Sequence, residues 1–200
     1  MCYEAFDDGS HRIDPRRIER RLTLMTTPEI AVRLTTCDDF EVLLAIKSDP
    51  EEVRWSGFAG PPNRENFRKW FNNALADSDR LMFTGLINRS VAGYIHFHRV
   101  SPHRFGVSTG VAARLRGKGH GTTIRSLAIE RFYVAFPDTE IEVWLAEGNV
   151  ASQRSWAKMG YHPTEITKCH EFLCPARVET MRRWIRTRSN SSTVTAARAG

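Results

Sequence analysis

The sequence predicts a layered α+β (α/β/α) fold: a mixed, mostly antiparallel sheet with helices on its faces. Three observations carry that expectation. Strand-like runs at 80–87, 91–99 and 105–111 follow one another across short turns and are expected to pair as antiparallel neighbours. A glycine-rich run, Arg116-Gly117-Lys118-Gly119-His120-Gly121-Thr122, then joins the third strand to a helix-like stretch. Beyond that helix lies another strand-like run, 140–145, which the right-handed crossover rule sets parallel to the third.

Two hundred residues, 41% hydrophobic and 26% charged, fit one soluble globular domain with a substantial core. No apolar run approaches the length of a membrane span, and the N-terminus lacks the apolar stretch of a signal peptide. The four cysteines (Cys2, Cys37, Cys169, Cys174) form no CxxC pair, so reduced thiols, a cytoplasmic location and no metal are expected. The net charge of +6 is uneven: residues 1–24 sum to zero, 175–200 to +5, and the long middle to +1. The surplus sits on a terminal segment, so neither nucleic acid nor membrane is an expected partner. A monomer or homodimer acting on a small molecule is expected.

Taken in order, residues 1–28 show no sustained periodicity and read as a flexible extension; Met25 is a second candidate start. A strand is expected at 30–34. Asp38 or Asp39 then caps a helix through Lys47, whose apolar face is Phe40, Leu43, Leu44 and Ile46. Asp49-Pro50 ends it. Residues 51–63 mix Arg54, Trp55 and Phe58 with glycine and proline and read as a surface loop, a candidate for substrate contact. Asn63 caps a helix to about Ala76, with Phe67, Trp70, Phe71 and Leu75 at helical spacing. After the three strands, a tight Asn88-Arg89 turn and the glycine run, Pro137-Asp138 closes the following helix. A short helix over 149–159 ends at Gly160. A hairpin of 161–166 with 170–173, a C-terminal helix over 177–188 and a disordered tail over 189–200 complete the expectation, with the domain at 29–188.

The glycine run carries the chemistry. Strand, glycine turn and helix in that order put backbone N–H groups at a helix N-terminus, where the dipole favours negative charge. Arg116 and Lys118 add donors suited to phosphate oxygens. A P-loop requires GxxxxGK[ST], and a dinucleotide fingerprint requires GxGxxG early in a βαβ unit; neither fits glycines at 117, 119 and 121 after antiparallel strands.

Arg116, Gly119 and Gly121 match the Q/R-x-x-G-x-G/A pattern of the GNAT superfamily of N-acetyltransferases, with the apolar Val111 five residues ahead. Asn149, Ser152, Lys158, Gly160 and Tyr161 resemble that family's second motif, and the likeness covers about residues 30–174. The resemblance implies a GNAT acyltransferase fold with acetyl-CoA in the splay between two parallel strands. Its diphosphate would rest on residues 116–122 (Arg116, Gly117, Lys118, Gly119, His120, Gly121, Thr122). The backbone of Val111 and Ala113 would pair with the pantetheine arm, with the Val111 N–H polarising the thioester carbonyl. Asn149 and Ser152 would help hold the arm.

The chain departs from the family at Trp156, where many members carry a tyrosine that protonates the leaving sulfur; an indole cannot do so. Tyr161, a water, or departure as a free thiolate are the alternatives. His96 and His98 share a strand face with Tyr94 and are the candidate bases, with Glu140 and Glu142 weaker. Scarce bases favour an acceptor that is already neutral. A lysine amine of pKa ~10.4 loses roughly 4 kcal/mol at neutral pH, whereas an α-amino group near ~7.8 loses under about 1 kcal/mol. Residues 49–54 and Asn149-x-x-Ser152 resemble two subgroups, ribosomal-protein N-terminal acetyltransferases and amino-sugar acetyltransferases acting on nucleotide-linked sugars. Arg54, Trp55 and Arg64 would suit a nucleotide diphosphate. An acetyl-CoA-dependent N-acetyltransferase for such a sugar is therefore expected. The alternatives are a protein N-terminal acetyltransferase or a non-catalytic acyl-CoA-binding regulatory domain.

Overall fold

The computed structural model describes residues 28–186. The expected N-terminal extension, the Met25 start and the tail fall almost wholly outside them. The elements run β1 (Ile30–Leu34), α1 (Phe40–Lys47), α2 (Pro50–Ser56), α3 (Arg64–Ala76), β2 (Arg80–Ile87), β3 (Ser90–Ser101) and β4 (Arg104–Val111). They continue α4 (His120–Ala135), β5 (Glu140–Ala146), α5 (Val150–Ala157), β6 (His162–Leu173) and β7 (Ala176–Ile185). Seven strands form one sheet in the order β1-β2-β3-β4-β5-β7-β6.

β2, β3 and β4 pair antiparallel, as their short connections dictate. Asn88 and Arg89 take φ of 49° and 66°, the mirror-image turn that matches strand twist. β5 is parallel to β4 but pairs with it only over Arg104–Gly106 and Glu140–Glu142. From Val143 to Ala146 it pairs with β7 instead. The sheet therefore splits into two halves that diverge beyond Gly106.

Apolar side chains cover both faces. On one, α4 packs Ile124, Ile129 and Phe132 onto Phe97, Phe105 and Ile141; Phe132 stacks on Phe97 with centroids 4.4 Å apart. On the other, α1 and α3 bury Phe40, Leu43 and Phe71 against Met82 and Tyr94. Each such side chain contributes roughly 1.5–3 kcal/mol by leaving water. Asp39, at the head of α1, accepts from Arg33 Nη1 and Nη2 (2.7 Å each) and from Thr84 Oγ1 (2.9 Å), tying that helix to β1 and β2.

Three sequence expectations fail here. The C-terminal helix is instead β7, and 161–166 with 170–173 are parts of one strand, β6, that β7 pairs along. Val178, Met181 and Trp184 recur every three residues and so mimic a helical face. Pairing with β5 on one side and β6 on the other overrides that local preference. The surface loop at 51–63 also begins as a helix. Asp49 Oδ1 accepts from the N–H groups of Glu51 and Glu52, and Pro50 occupies the first turn, where its missing N–H costs nothing. Among the described residues no helix is long and apolar enough to cross a membrane, and no cluster of three metal-ligating side chains occurs.

Candidate active site

The cradle forms as the spacing predicts. Gly117 and Gly119 sit at φ 74° and 81°, where other residues are strained. A Cβ on either would meet nothing within 4 Å, so their requirement is conformational rather than steric. Gly121 differs: a Cβ there falls 2.9 Å from Val111 Cγ2, so α4 leaves β4 at close range. The N–H groups of Thr122 and Thr123 both donate to Gly119 O (3.0 and 3.3 Å), which leaves those of His120 and Gly121 outside the helical ladder. Lys118 is exposed beside them.

Arg116 does other work than its type suggests. Its Nη1 lies 2.6 Å from Asp49 Oδ1 and its Nε donates to Val111 O (3.1 Å). Asp49 thus caps α2 and grips the cradle at once, with its carboxyl below the usual range. Burial pushes that carboxyl up, but hydrogen bonding and charge from Arg116, with the α2 N–H groups, outweigh it.

The splay exposes a backbone edge. The Ala112 N–H donates to Ala92 O, so by alternation Gly110 and Ser108 also bond toward β3. Val107, Thr109 and Val111 therefore turn their N–H and C=O groups toward β5, which has diverged. Val107 and Thr109 line a cavity of about 720 Å³; Val111, whose carbonyl is held by Arg116, does not. Ala113 lies past the strand in a 3-10 turn, its carbonyl accepting from the Arg116 N–H, so it cannot extend the edge as expected. Val111, which the spacing singled out, lies on this edge one alternation beyond the part that lines the cavity. Asn149 and Ser152 do line the cavity. The Asn149 Oδ1 accepts from the Ser152 N–H (3.1 Å), capping α5 and leaving the amide nitrogen as its open end.

The catalytic candidates separate. His96 is 5% exposed, lines the cavity and has no hydrogen-bond partner at Nε2 among the described residues. Burial, then Lys47 and Arg80, hold its pKa well below 6.5, so the imidazole is neutral at physiological pH. His98 lies two residues further along, over Gly106 and away from the cavity. Tyr161 does not line the cavity. It is buried behind Trp156, with ring centroids 4.8 Å apart, and burial drives its pKa up. Trp156 forms the wall, its ring 5.1 Å from the Arg125 guanidinium. Glu140 and Glu142 are engaged by Arg104, and Glu142 also by Arg183.

Of the substrate candidates, only Trp55 lines the cavity. Arg64 is turned to the surface, where its guanidinium grips both oxygens of Glu41. Arg54 lies with its guanidinium 5.3 Å from the Trp55 ring, outside the lining.

A group that the sequence did not reveal stands in the cavity: Lys47, Glu52 and Tyr94. Lys47 Nζ donates to Glu52 Oε1 (3.3 Å) and to the Tyr94 hydroxyl, which itself donates to Glu52 Oε1. A Cβ on Gly110 would fall 2.9 Å from Glu52 Oε2, so the carboxylate rests against the β4 backbone, one residue from Thr109. Burial lowers the Lys47 pKa, with Glu52 pulling it back, and burial with Glu52 keeps Tyr94 protonated. The available signal was Asp49-Pro50-Glu51-Glu52, an N-cap, a first-turn proline and two acids, which marks a helix start.

These residues fit acetyl-CoA: among the described residues, N–H groups left free at a positive helix end for its diphosphate, a strand edge that no other strand pairs for its amide arm, and a cavity at the thioester. A profile described as "acetyltransferase (GNAT) domain" matches residues 30–162. Among solved structures, spermidine N-acetyltransferase from Vibrio cholerae, in complex with CoA and spermine, is similar with a TM-score of 0.71 at 14% identity. That match covers 78% of this chain and 94% of that one. The ribosomal-protein-alanine N-acetyltransferase of Brucella melitensis gives 0.66 at 21% identity, covering 78% and 98%. AAC(6')-Ib in complex with ribostamycin and coenzyme A gives 0.66 at 18%, covering 84% and 99%. No curated protein matches the sequence. Fold, cradle and profile agree: the chain belongs to the GNAT family of acetyltransferases, with acetyl-CoA as its donor.

Proposed function

We propose that the protein transfers the acetyl group of acetyl-CoA to a primary amine by direct attack, with Glu52 as general base. One observation carries this: the Glu52 carboxylate rests on the β4 backbone beside the unpaired Thr109 edge, inside the cavity. The Thr109 N–H, rather than that of Val111, would receive the thioester oxygen as it becomes an oxyanion. The amine nitrogen bonds to the carbonyl carbon, its proton passes to Glu52, and the C–S bond breaks to release CoA as thiolate. Trp156 and the enclosed Tyr161 support departure without a side-chain acid. His96, neutral and unpartnered, serves recognition better than proton transfer.

The expected nucleotide-linked sugar draws little support from this cavity, because Arg54 and Arg64 lie off its lining and Lys47 is held by Glu52. A carboxylate poised at the strand edge also weighs against a purely regulatory domain. Thiol release from acetyl-CoA, matched mole for mole by acetylated amine, tests the reaction. Glu52→Gln is expected to lower kcat by about 10²–10³-fold. Undiminished turnover in that variant would remove Glu52 from the role.

A further inference from the structure

The acceptor side of the cavity is unusual in its chemistry. Trp55 of α2, Phe58 of the following loop, Phe67 and Trp70 of α3, Tyr94 of β3 and Trp144 of β5 all line it. Phe67 and Trp70 stack with centroids 5.3 Å apart. Among the described residues, the one carboxylate lining the cavity is Glu52 and the one ammonium is Lys47, and these two are already paired. A box of aromatic faces with no net charge selects strongly among amines. A second ammonium on the acceptor would be buried near Lys47 with no carboxylate to meet it, and a phosphate or carboxylate would find no free cation there. Either costs several kcal/mol.

Ser56, Asn63 and Asn66 also line this side, and the polar atom set deepest among the rings belongs to His96. His96 Nε2 is buried and has no partner among the described residues, its ring 4.5 Å from Tyr94 and 6.0 Å from Trp70 by centroids. Nε2 is closed to water as the ring stands, so a turn of the imidazole toward the cavity is what would let an acceptor group satisfy it. Its neutrality suits a phenol hydroxyl or a ring N–H rather than an anion.

Resting on the acetyltransferase reading, we infer that the acceptor is a small monoamine borne on an aromatic ring. The ring stacks within this box, and a polar ring substituent bonds to His96 while the amine faces Glu52.

Steady-state thiol release from acetyl-CoA by the full chain tests this with five probes: tyramine, phenethylamine, spermidine, glucosamine and a tetrapeptide beginning with phenylalanine. Tyramine is expected to exceed phenethylamine in kcat/KM by about tenfold, the worth of one buried hydrogen bond. Both are expected to exceed spermidine and glucosamine by about a hundredfold or more. In His96→Phe the tyramine-to-phenethylamine ratio falls to about one. Spermidine, glucosamine or the peptide matching or outrunning tyramine overturns the inference and leaves the acetyltransferase reading standing. So does an unchanged ratio in His96→Phe, or equal loss with both ring amines. Thiol release with none of the five overturns the acetyltransferase reading itself. The wild-type panel decides the matter even if the variant does not fold.

Discussion

The two halves of the site are built from different materials. The donor half is backbone: N–H groups at the head of α4 and the unpaired edge of β4, exposed where β5 turns away. The acceptor half is side chain: aromatic rings, the Lys47–Glu52–Tyr94 group and His96, from α1, α2, α3, β3 and β5. The donor half must present fixed groups to a constant ligand, so it is specified by backbone conformation. The acceptor half sets selectivity, and any side chain of suitable shape can take part. Asp49 joins the two, holding Arg116 of the cradle while capping the helix that carries Glu52.

The sharpest way to break the comparison is Gly119→Glu. With φ at 81° and open space around it, the variant suffers backbone strain of roughly 1–2 kcal/mol and repulsion of the diphosphate. Acetyl-CoA affinity by calorimetry is expected to fall about a hundredfold or more, while Gly119→Ala loses only the strain, about tenfold. Equal losses in the two would assign the whole effect to backbone strain and none to charge repulsion. Glu52→Gln is the mirror case, striking kcat alone by the margin given above. A matching loss of donor affinity would erase the boundary between the halves.

Asp39→Ala probes the scaffold of the acceptor half. Burial would raise this carboxyl, but hydrogen bonds from Arg33, the Thr36 N–H and Thr84 outweigh it and hold it below the usual range. Urea denaturation at pH 7 is expected to give a loss of about 2–3 kcal/mol, toward the low end for buried pairs because Arg33 is partly exposed. A depressed carboxyl stabilises above its unfolded pKa, so the gap should narrow as pH falls below ~3.9 through the folded value. A gap that is constant with pH would exclude the ion pair as its source. Smallest is Asp49→Ala, expected to cost about 1 kcal/mol of stability through the lost cap and to lower kcat and donor affinity together, each severalfold. An effect on only one would show that Asp49 does not couple the halves.

The same contrast explains what was legible in the sequence. Positive φ at Gly117 and Gly119 and close approach at Gly121 each restrict a single position, so the cradle leaves its mark at fixed spacing. The antiparallel run β2-β3-β4 and the parallel crossover to β5 followed from connection lengths. Glu52 left a fainter mark, a helix start that the neighbouring glycines and prolines of 57–62 obscured. Trp70 meets His96 only because α3 packs across β3, a juxtaposition with no local signature. β7 was misread because a three-residue apolar spacing arises by chance in a strand whose identity depends on partners far away. Motif spacing pointed to Val111 and left Thr109 unmentioned, because it counts residues, whereas the cavity depends on where β5 leaves β4.

The central claim is that the cradle and the splayed edge take acetyl-CoA, and thermal unfolding tests it most directly. At a hundred times Kd, acetyl-CoA should stabilise the chain by ~2.7 kcal/mol and raise Tm by roughly 5–10 °C. Gly119→Glu should lose that shift at the same concentration. No shift with acetyl-CoA, beside a clear rise with ATP or NAD, would contradict the account.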